Sequence, residues 1–133
     1  MAGYSGTPLP AKLGIKPGGR VLLDGASPEL VLEPLPERVA VHSRAGAGVY
    51  DVVLLFAADV ARLHARWPRL APRLATAGRL WVCWPKRSSG VPTDLGENLI
   101  REYGLGQGLV DVKVAAVDDT WSGLAFVRRS KDR

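Results

Sequence analysis

The sequence predicts an α/β protein built on an open, mostly parallel sheet, with helices on both faces and an antiparallel hairpin at its C-terminal end. Three observations carry that expectation. Short apolar runs with the length of buried strands alternate with segments of helical spacing. The runs Tyr50 to Phe56 and Gly78 to Trp84 are apolar on both faces, as parallel strands between helices require. The last two strand-like runs are separated by a loop short enough for a hairpin. At 133 residues and 47% hydrophobic content the chain suits one core. It shows no internal repeats and is expected to form a single domain over residues 1–133, with 1–19 as a helical lead-in and 129–133 as a polar tail.

Within Tyr4 to Lys16, Thr7-Pro8 offers a helix start and Gly14 a stop, with Leu9, Leu13 and Ile15 as apolar contacts. Pro17-Gly18-Gly19 then turns the chain into Arg20 to Leu23, the first strand, which Asp24-Gly25 ends. Pro28, Pro34 and Pro36 leave room for little more than a helical turn around Glu29 to Leu32, so the first crossover is stunted. Arg38 to His42 reads as the second strand and Tyr50 to Phe56 as the third.

Asp59 can cap a helix in which Leu63, Trp67, Leu70 and Leu74 share one face. Pro68 and Pro72 should bend or restart that helix. Gly78 to Trp84 is the fourth strand, followed by a basic end, Pro85-Lys86-Arg87, and a small-residue loop. Thr93 or Asp94 is expected to cap a helix that runs to about Tyr103 and stops at Gly104 or Gly106. Leu109 to Val117, with its alternation near Asp111 and Lys113, reads as a less buried strand at a sheet edge. Leu124 to Arg128 closes the hairpin.

Composition narrows the function classes. A lone Cys83 inside an apolar run excludes an intrachain disulfide and suits a reducing cytoplasm. The N-terminus MAGYSGTPLPAK has no apolar signal-peptide core, and Val49 to Ala58, interrupted by Asp51, is too short to span a bilayer. A soluble cytoplasmic protein without a membrane partner is therefore expected. The net charge of +5 favours anionic partners, although arginine-rich composition is also common in GC-rich genomes. Arg62, Arg66, Arg69 and Arg73 form a stripe that could grip nucleic-acid phosphates or simply face solvent.

In an open α/β sheet, ligands bind outside the carboxyl ends of the strands, where strand order reverses. Asp24 to Ser27, Phe56 to Asp59, Pro85 to Asp94 and the Asp118 to Gly123 hairpin should meet there. Lys86, Arg87, Ser88 and Ser89, ahead of a helix N-terminus at Asp94, offer two cations and flexible donors for a small anion. Trp121 and Asp119 of the hairpin would share that surface if the last strand pairs beside the fourth. Asp118 and Asp119 are adjacent and tend to diverge, so they do not form an acid/base pair. His42 and His64 lack a ligand cluster, and no metal site is expected. No G-x-S-x-G elbow is present, and the serines lack a histidine partner.

Lys12-Leu13-Gly14-Ile15-Lys16 with Gly18, Asp51 to Leu55, Gly78-x-Leu80-Trp81 to Pro85-Lys86, Asp94 and Trp121-Ser122-Gly123 resemble a family of small, mainly actinobacterial proteins known as a domain of unknown function. More remotely, LGIKPGGRVLLDG, YDVVLLFAAD, AGRLWVCWPK and the closing hairpin resemble class I S-adenosylmethionine-dependent methyltransferases. That resemblance implies a Rossmann-like, shortened methyltransferase-like fold. Where that family has a glycine-rich cofactor loop, this chain has Asp24-Gly25-Ala26-Ser27-Pro28, and VAVHSRAG lacks its ribose-binding acid.

The leading expectation is accordingly a non-catalytic Rossmann-like domain that needs no cofactor and binds a small anion or a protein partner at the Lys86/Trp121 edge. One alternative is a minimal methyltransferase with Asp24, Gly25 and Asp59 around S-adenosylmethionine and Lys86 near the substrate. A second is a nucleic-acid accessory acting through the arginine stripe.

Overall fold

The computed structural model describes residues 6–133, so Tyr4 and the start of the expected lead-in lie outside the described residues. A short helix, α1 (Leu9–Leu13), ends at Gly14, whose φ of 86° is left-handed and lets Ile15 N–H reach back to the Pro10 carbonyl. Six strands follow: β1 (Arg20–Asp24), β2 (Ala40–His42), β3 (Tyr50–Phe56), β4 (Leu74–Pro85), β5 (Leu109–Ala116) and β6 (Trp121–Arg128). They form one sheet in the order β2-β1-β3-β4-β6-β5. β2, β1, β3 and β4 pair in parallel, whereas β6 is antiparallel to both of its neighbours. The mostly parallel α/β sheet with a C-terminal hairpin is thus the fold, and β5 is its edge.

Consecutive residues of the central strands enter opposite cores. Val53, Leu55 and Ala57 join Leu80, Val82 and Phe126 under Leu63, Trp67 and Leu70 of α2 (Val60–Leu70) and Ile100 of α3 (Glu97–Gly106). Val52, Leu54 and Phe56 join Trp81, Cys83 and Ala125 on the other face, beneath Leu13 and Ile15. The indole Nε1 of Trp81, wholly buried, donates to the Leu13 carbonyl at 3.0 Å and ties α1 to the sheet. No helix forms between residues 26 and 39; Leu30, Leu32 and Val39 cover that side as partly buried side chains.

Several boundaries differ from expectation. β2 begins at Ala40 because Arg38 turns through φ 57°. Pro68 lies within α2 near its end, where its missing donor costs a single late bond, and Pro72 sits in the 3₁₀ turn Ala71–Arg73 that leads straight into β4. That strand starts at Leu74, ahead of the expected Gly78. The cap of α3 is Gly96, and neither Thr93 nor Asp94 fills that role; Thr93 Oγ1 instead accepts from Leu95 N–H at 3.0 Å in the preceding turn. Of the two expected stops, Gly106 is the last residue of α3, whereas Gly104 lies within it.

Gly104 is needed for packing: a β-carbon there would drive into the Phe126 ring. Gly106, in the same helix, has no neighbour within 4 Å of such a carbon. Gly104→Ala is expected to destabilise the protein by about 1–3 kcal/mol through overpacking. Gly106→Ala should stabilise it by about 0.5–1 kcal/mol through helix propensity. Opposite shifts in urea midpoint, followed by circular dichroism, check the pair.

Candidate functional site

From β1 the strand order runs outward to β2 on one side and to β3 on the other, so direction reverses between β1 and β3. In open α/β sheets that switch point is where ligands bind; here the side chains of Arg62 and Arg66 occupy it. Asp24 closes β1 opposite Leu55 of β3. As the second residue after Leu22, it faces the α2 side of the sheet. Its carboxylate has a side-chain exposure of only 13% and is shared by two guanidiniums. Arg62 Nη2 pairs with Oδ1, while Arg66 donates to Oδ2 through Nε at 3.1 Å and Nη2 at 2.7 Å.

Arg62 also donates from Nε to the Phe56 carbonyl at 2.7 Å, so one guanidinium spans the ends of both strands. Gly25 lies directly beneath it with φ 79°. A β-carbon at Gly25 would press into the Arg62 guanidinium and stand 3.1 Å from the Phe56 carbonyl oxygen, so the backbone here can be approached only because the residue is glycine. Asp59 caps α2, its Oδ1 accepting from Arg62 N–H at 2.8 Å. Asp94 Oδ1 accepts from Val60 N–H at 2.8 Å and reinforces the same helix start from across the crevice.

The stripe of arginines therefore turns inward for the most part. Arg62 and Arg66 hold Asp24, and Arg73 donates to the carbonyls of Gly46 and Gly48, whereas Arg69 is exposed. The Asp24 contacts could not be read from the sequence, although the helical spacing of the arginines was the available signal.

At the end of β4, Pro85 stands opposite Trp121 of β6, and Lys86 N–H donates to the Thr120 carbonyl at 2.7 Å. The Lys86/Trp121 neighbourhood expected from the hairpin thus exists. Trp121 packs edge-on against Phe56 with ring centroids 5.3 Å apart, which brings the hairpin to the end of β3. Asp118 uses one oxygen to accept from both Thr120 and Trp121 N–H at 2.8 Å and shapes the hairpin tip, while Asp119 is exposed.

The other expected anion contacts are dispersed. Ser88 is exposed, and Ser89 Oγ donates to the Lys86 carbonyl at 2.6 Å while accepting from Val91 N–H. Arg87 borders a cavity of about 440 Å³ with Trp84, Thr93 and Glu97. Trp121 and Asp119 border a different one of about 220 Å³ with Ser27 and Glu29. Of the residues first grouped as one ligand site, Arg87 therefore borders one cavity and Asp119 and Trp121 another.

Cys83 is fully buried in the core on the α1 side of the sheet; burial, and secondarily the Asp118 charge, pushes its thiol well above the usual range. His42 Nδ1 lies 2.6 Å from the Tyr50 hydroxyl, which also accepts from Gly46 N–H. Among the described residues no group of three or more histidines, cysteines and carboxylates gathers, and no helix is long and apolar enough to cross a membrane.

The sequence matches no protein-family model and no curated protein. In fold, the chain is similar to a DhpI–SAH complex, with a TM-score of 0.63 and 12% identity over 92% of this chain and 83% of that one. It is also similar to magnesium protoporphyrin IX methyltransferase from Synechocystis PCC 6803 with bound SAM, with a TM-score of 0.55 and 15% identity over 91% and 74%. A third likeness is to an rRNA methylase from Streptococcus thermophilus, with a TM-score of 0.55 and 8% identity over 95% and 99%. The fold is thus the Rossmann-like fold of methyltransferases.

These likenesses correct the leading expectation of a non-catalytic domain binding an anion or partner at the Lys86/Trp121 edge. That expectation rested on one short loop, Asp24 to Pro28, and gave too little weight to the architecture around it. The expectation of no cofactor finds no support in them, since two of these structures hold SAM or SAH.

Two outcomes follow from the local geometry. Asp94→Ala should cost about 1 kcal/mol in urea denaturation by removing an acceptor from the start of α2, and Asp94→Asn should restore most of it. Cys83 should resist a thiol reagent in mildly alkaline native buffer and react fully once the protein is denatured.

Proposed function

We propose that this chain is a minimal S-adenosylmethionine-dependent methyltransferase whose cofactor binds at the β1/β3 switch point. The observation that carries this reading is the joint placement of Asp24 and Gly25 there: a nearly buried carboxylate beside a backbone that a side chain would block. The donor set fits the cofactor. The Asp24 carboxylate would accept from the methionyl ammonium, and Arg62, whose guanidinium covers Gly25, would turn aside to let the main chain be reached. Asp59 acts at one remove by fixing the start of α2, from which Arg62 and Arg66 project. S-adenosylmethionine supplies an electrophilic methyl group on its sulfonium, which a nucleophilic acceptor takes.

Lys86 would stand on the acceptor side, supported by its anchorage to the hairpin through Thr120. Trp121, held against Phe56, offers an apolar ring beside the crevice. One sheet joining all six strands supports treating residues 1–133 as one domain. A buried reduced thiol supports a cytoplasmic setting.

Isothermal calorimetry with S-adenosylhomocysteine tests the proposal. Saturable binding at one site is expected, and Asp24→Asn should weaken it about tenfold or more, roughly 1.4 kcal/mol. A thermal melt confirms that the variant is folded. Absence of heat with both S-adenosylmethionine and S-adenosylhomocysteine at millimolar concentration would reject the assignment.

A further inference from the structure

The geometry points to a second ligand site at the opposite end of the sheet, where the side chains of Lys16, Asp51 and Arg79 take a phosphorylated sugar. Arg79 and Lys16 hold the phosphate, and Asp51 accepts from a sugar hydroxyl. This site goes beyond the cofactor reading and stands without it, because it lies at the amino ends of β1 and β3.

A cavity of about 420 Å³ opens there between the turn ahead of β1 and the first half of β4, and Gly14, Gly18 and Gly19 complete its wall. Small-molecule sites occupy roughly 300–1,000 Å³. An irregularity in the sheet adjoins the cavity. The β3–β4 register passes from Tyr50–Leu74 to Val52–Arg79, so two steps along β3 are matched by five along β4. Bulges of this kind re-aim side chains. Here Arg79 lies against the end of α1, where a β-carbon on Gly14 would stand 3.2 Å from Nη1 and 3.3 Å from Cζ.

The side chains of the cavity are uncommitted. Arg79 is partly buried, yet among the described residues its guanidinium meets no acceptor and pairs with no carboxylate. Lys16 is exposed, and its ammonium is equally without a partner among them. Asp51 spends Oδ2 on Arg20 N–H at 2.8 Å and keeps Oδ1 free of any donor among the described residues. The amides of Gly14, Gly18 and Gly19 are already spent on the carbonyls of Ala11, Glu37 and Lys16, and Pro17 has none. A guanidinium drawn partly out of water without an acceptor is costly, and a ligand that supplies one is favoured.

Two cations against one carboxylate leave the lining net positive. A phosphate monoester offers two oxygens to the planar fork of arginine and another to the lysine ammonium. Asp51 would repel a bare anion. It favours only a ligand that presents a hydrogen-bond donor beside its phosphate, and a sugar hydroxyl is such a donor. Among the described residues that line the cavity none is aromatic, so a nucleobase would find no ring to stack on.

The competing role for Arg79 and Lys16 is that of solvated surface cations, and calorimetry with ribose 5-phosphate, inorganic phosphate and ribose separates the two. Ribose 5-phosphate should bind saturably at one site, inorganic phosphate at least about threefold more weakly, and ribose not measurably at millimolar concentration. Arg79→Gln should weaken ribose 5-phosphate about tenfold or more, and Lys16→Ala about threefold or more. Asp51→Asn keeps an acceptor for Arg20 N–H and removes the charge. It should weaken ribose 5-phosphate about threefold while leaving inorganic phosphate unchanged or tighter.

No binding of ribose 5-phosphate at millimolar concentration, or binding unaffected by Arg79→Gln, would overturn the inference. Equal affinity for inorganic phosphate, or tighter ribose 5-phosphate binding by Asp51→Asn, would overturn the sugar contact and leave attraction by charge alone. If circular dichroism shows Arg79→Gln unfolded, Lys16→Ala decides, and full affinity in that variant rejects the site.

Discussion

Phe56 and Ala57 are neighbours at the end of β3, yet one faces the hairpin tryptophan and the other faces α2. The same alternation runs back along β3 and through β4, whose side chains from Leu80 to Trp84 are buried on both faces. Two-sided burial of these strands is the constraint that the remaining structure meets. Burying a large apolar side chain stabilises the fold by about 1.5–3 kcal/mol, so neither face can be left to solvent. On one side α2 and α3 supply Trp67, Leu63 and Ile100. On the other, α1 supplies Leu13, and an extended segment supplies Leu30 and Leu32.

The unequal cover has a consequence for the crevice. Because prolines keep residues 26–39 from forming a helix, the loop after β1 does not lead into a helix N-terminus. No row of free helical amides or aligned dipole then stands beside Asp24 on that side. The helix that does reach the switch point is α2, which comes from the opposite face and follows β3. Its N-terminus is secured twice, by Asp59 and by Asp94, and that anchorage places Arg62 and Arg66 one helical turn apart over the end of β1.

Much of this architecture was legible in the residues. Apolar runs on both faces identified β3 and β4, the prolines foretold the missing crossover helix, and the short Asp118 to Gly123 loop foretold the hairpin. The topology rule then located the switch point, and the hairpin brought Trp121 beside Lys86. What local reading could not supply were partners distant in sequence. Asp94 looks like a helix cap from its neighbours, but its acceptor is spent on Val60, 34 residues earlier. Gly104 looks like a helix stop, but the Phe126 ring occupies the space that a side chain would need. The arginine stripe was visible from its alternating spacing of four and three, whereas its partner Asp24 lies 38 residues before Arg62. Periodicity reports which residues share a face and is silent about what that face meets.

The scarcity of glycines after β1 then takes on a specific meaning. A glycine-rich loop recognises its ligand with backbone amides, which carry no net charge and need close approach. Here a single glycine, Gly25, remains, its face covered by the Arg62 guanidinium, and beyond Pro28 the Glu29 and Leu30 amides turn back onto Ser27. Charge at the crevice comes instead from side chains on another element, where Asp24 meets two arginines of α2. Such a site depends on the position of α2 more than on the conformation of the loop. Its anchors accordingly set the geometry of the cluster: if Asp59 or Asp94 let the helix start fray, the Arg62 backbone would move with it, and the carboxylate and guanidinium would lose their relative placement.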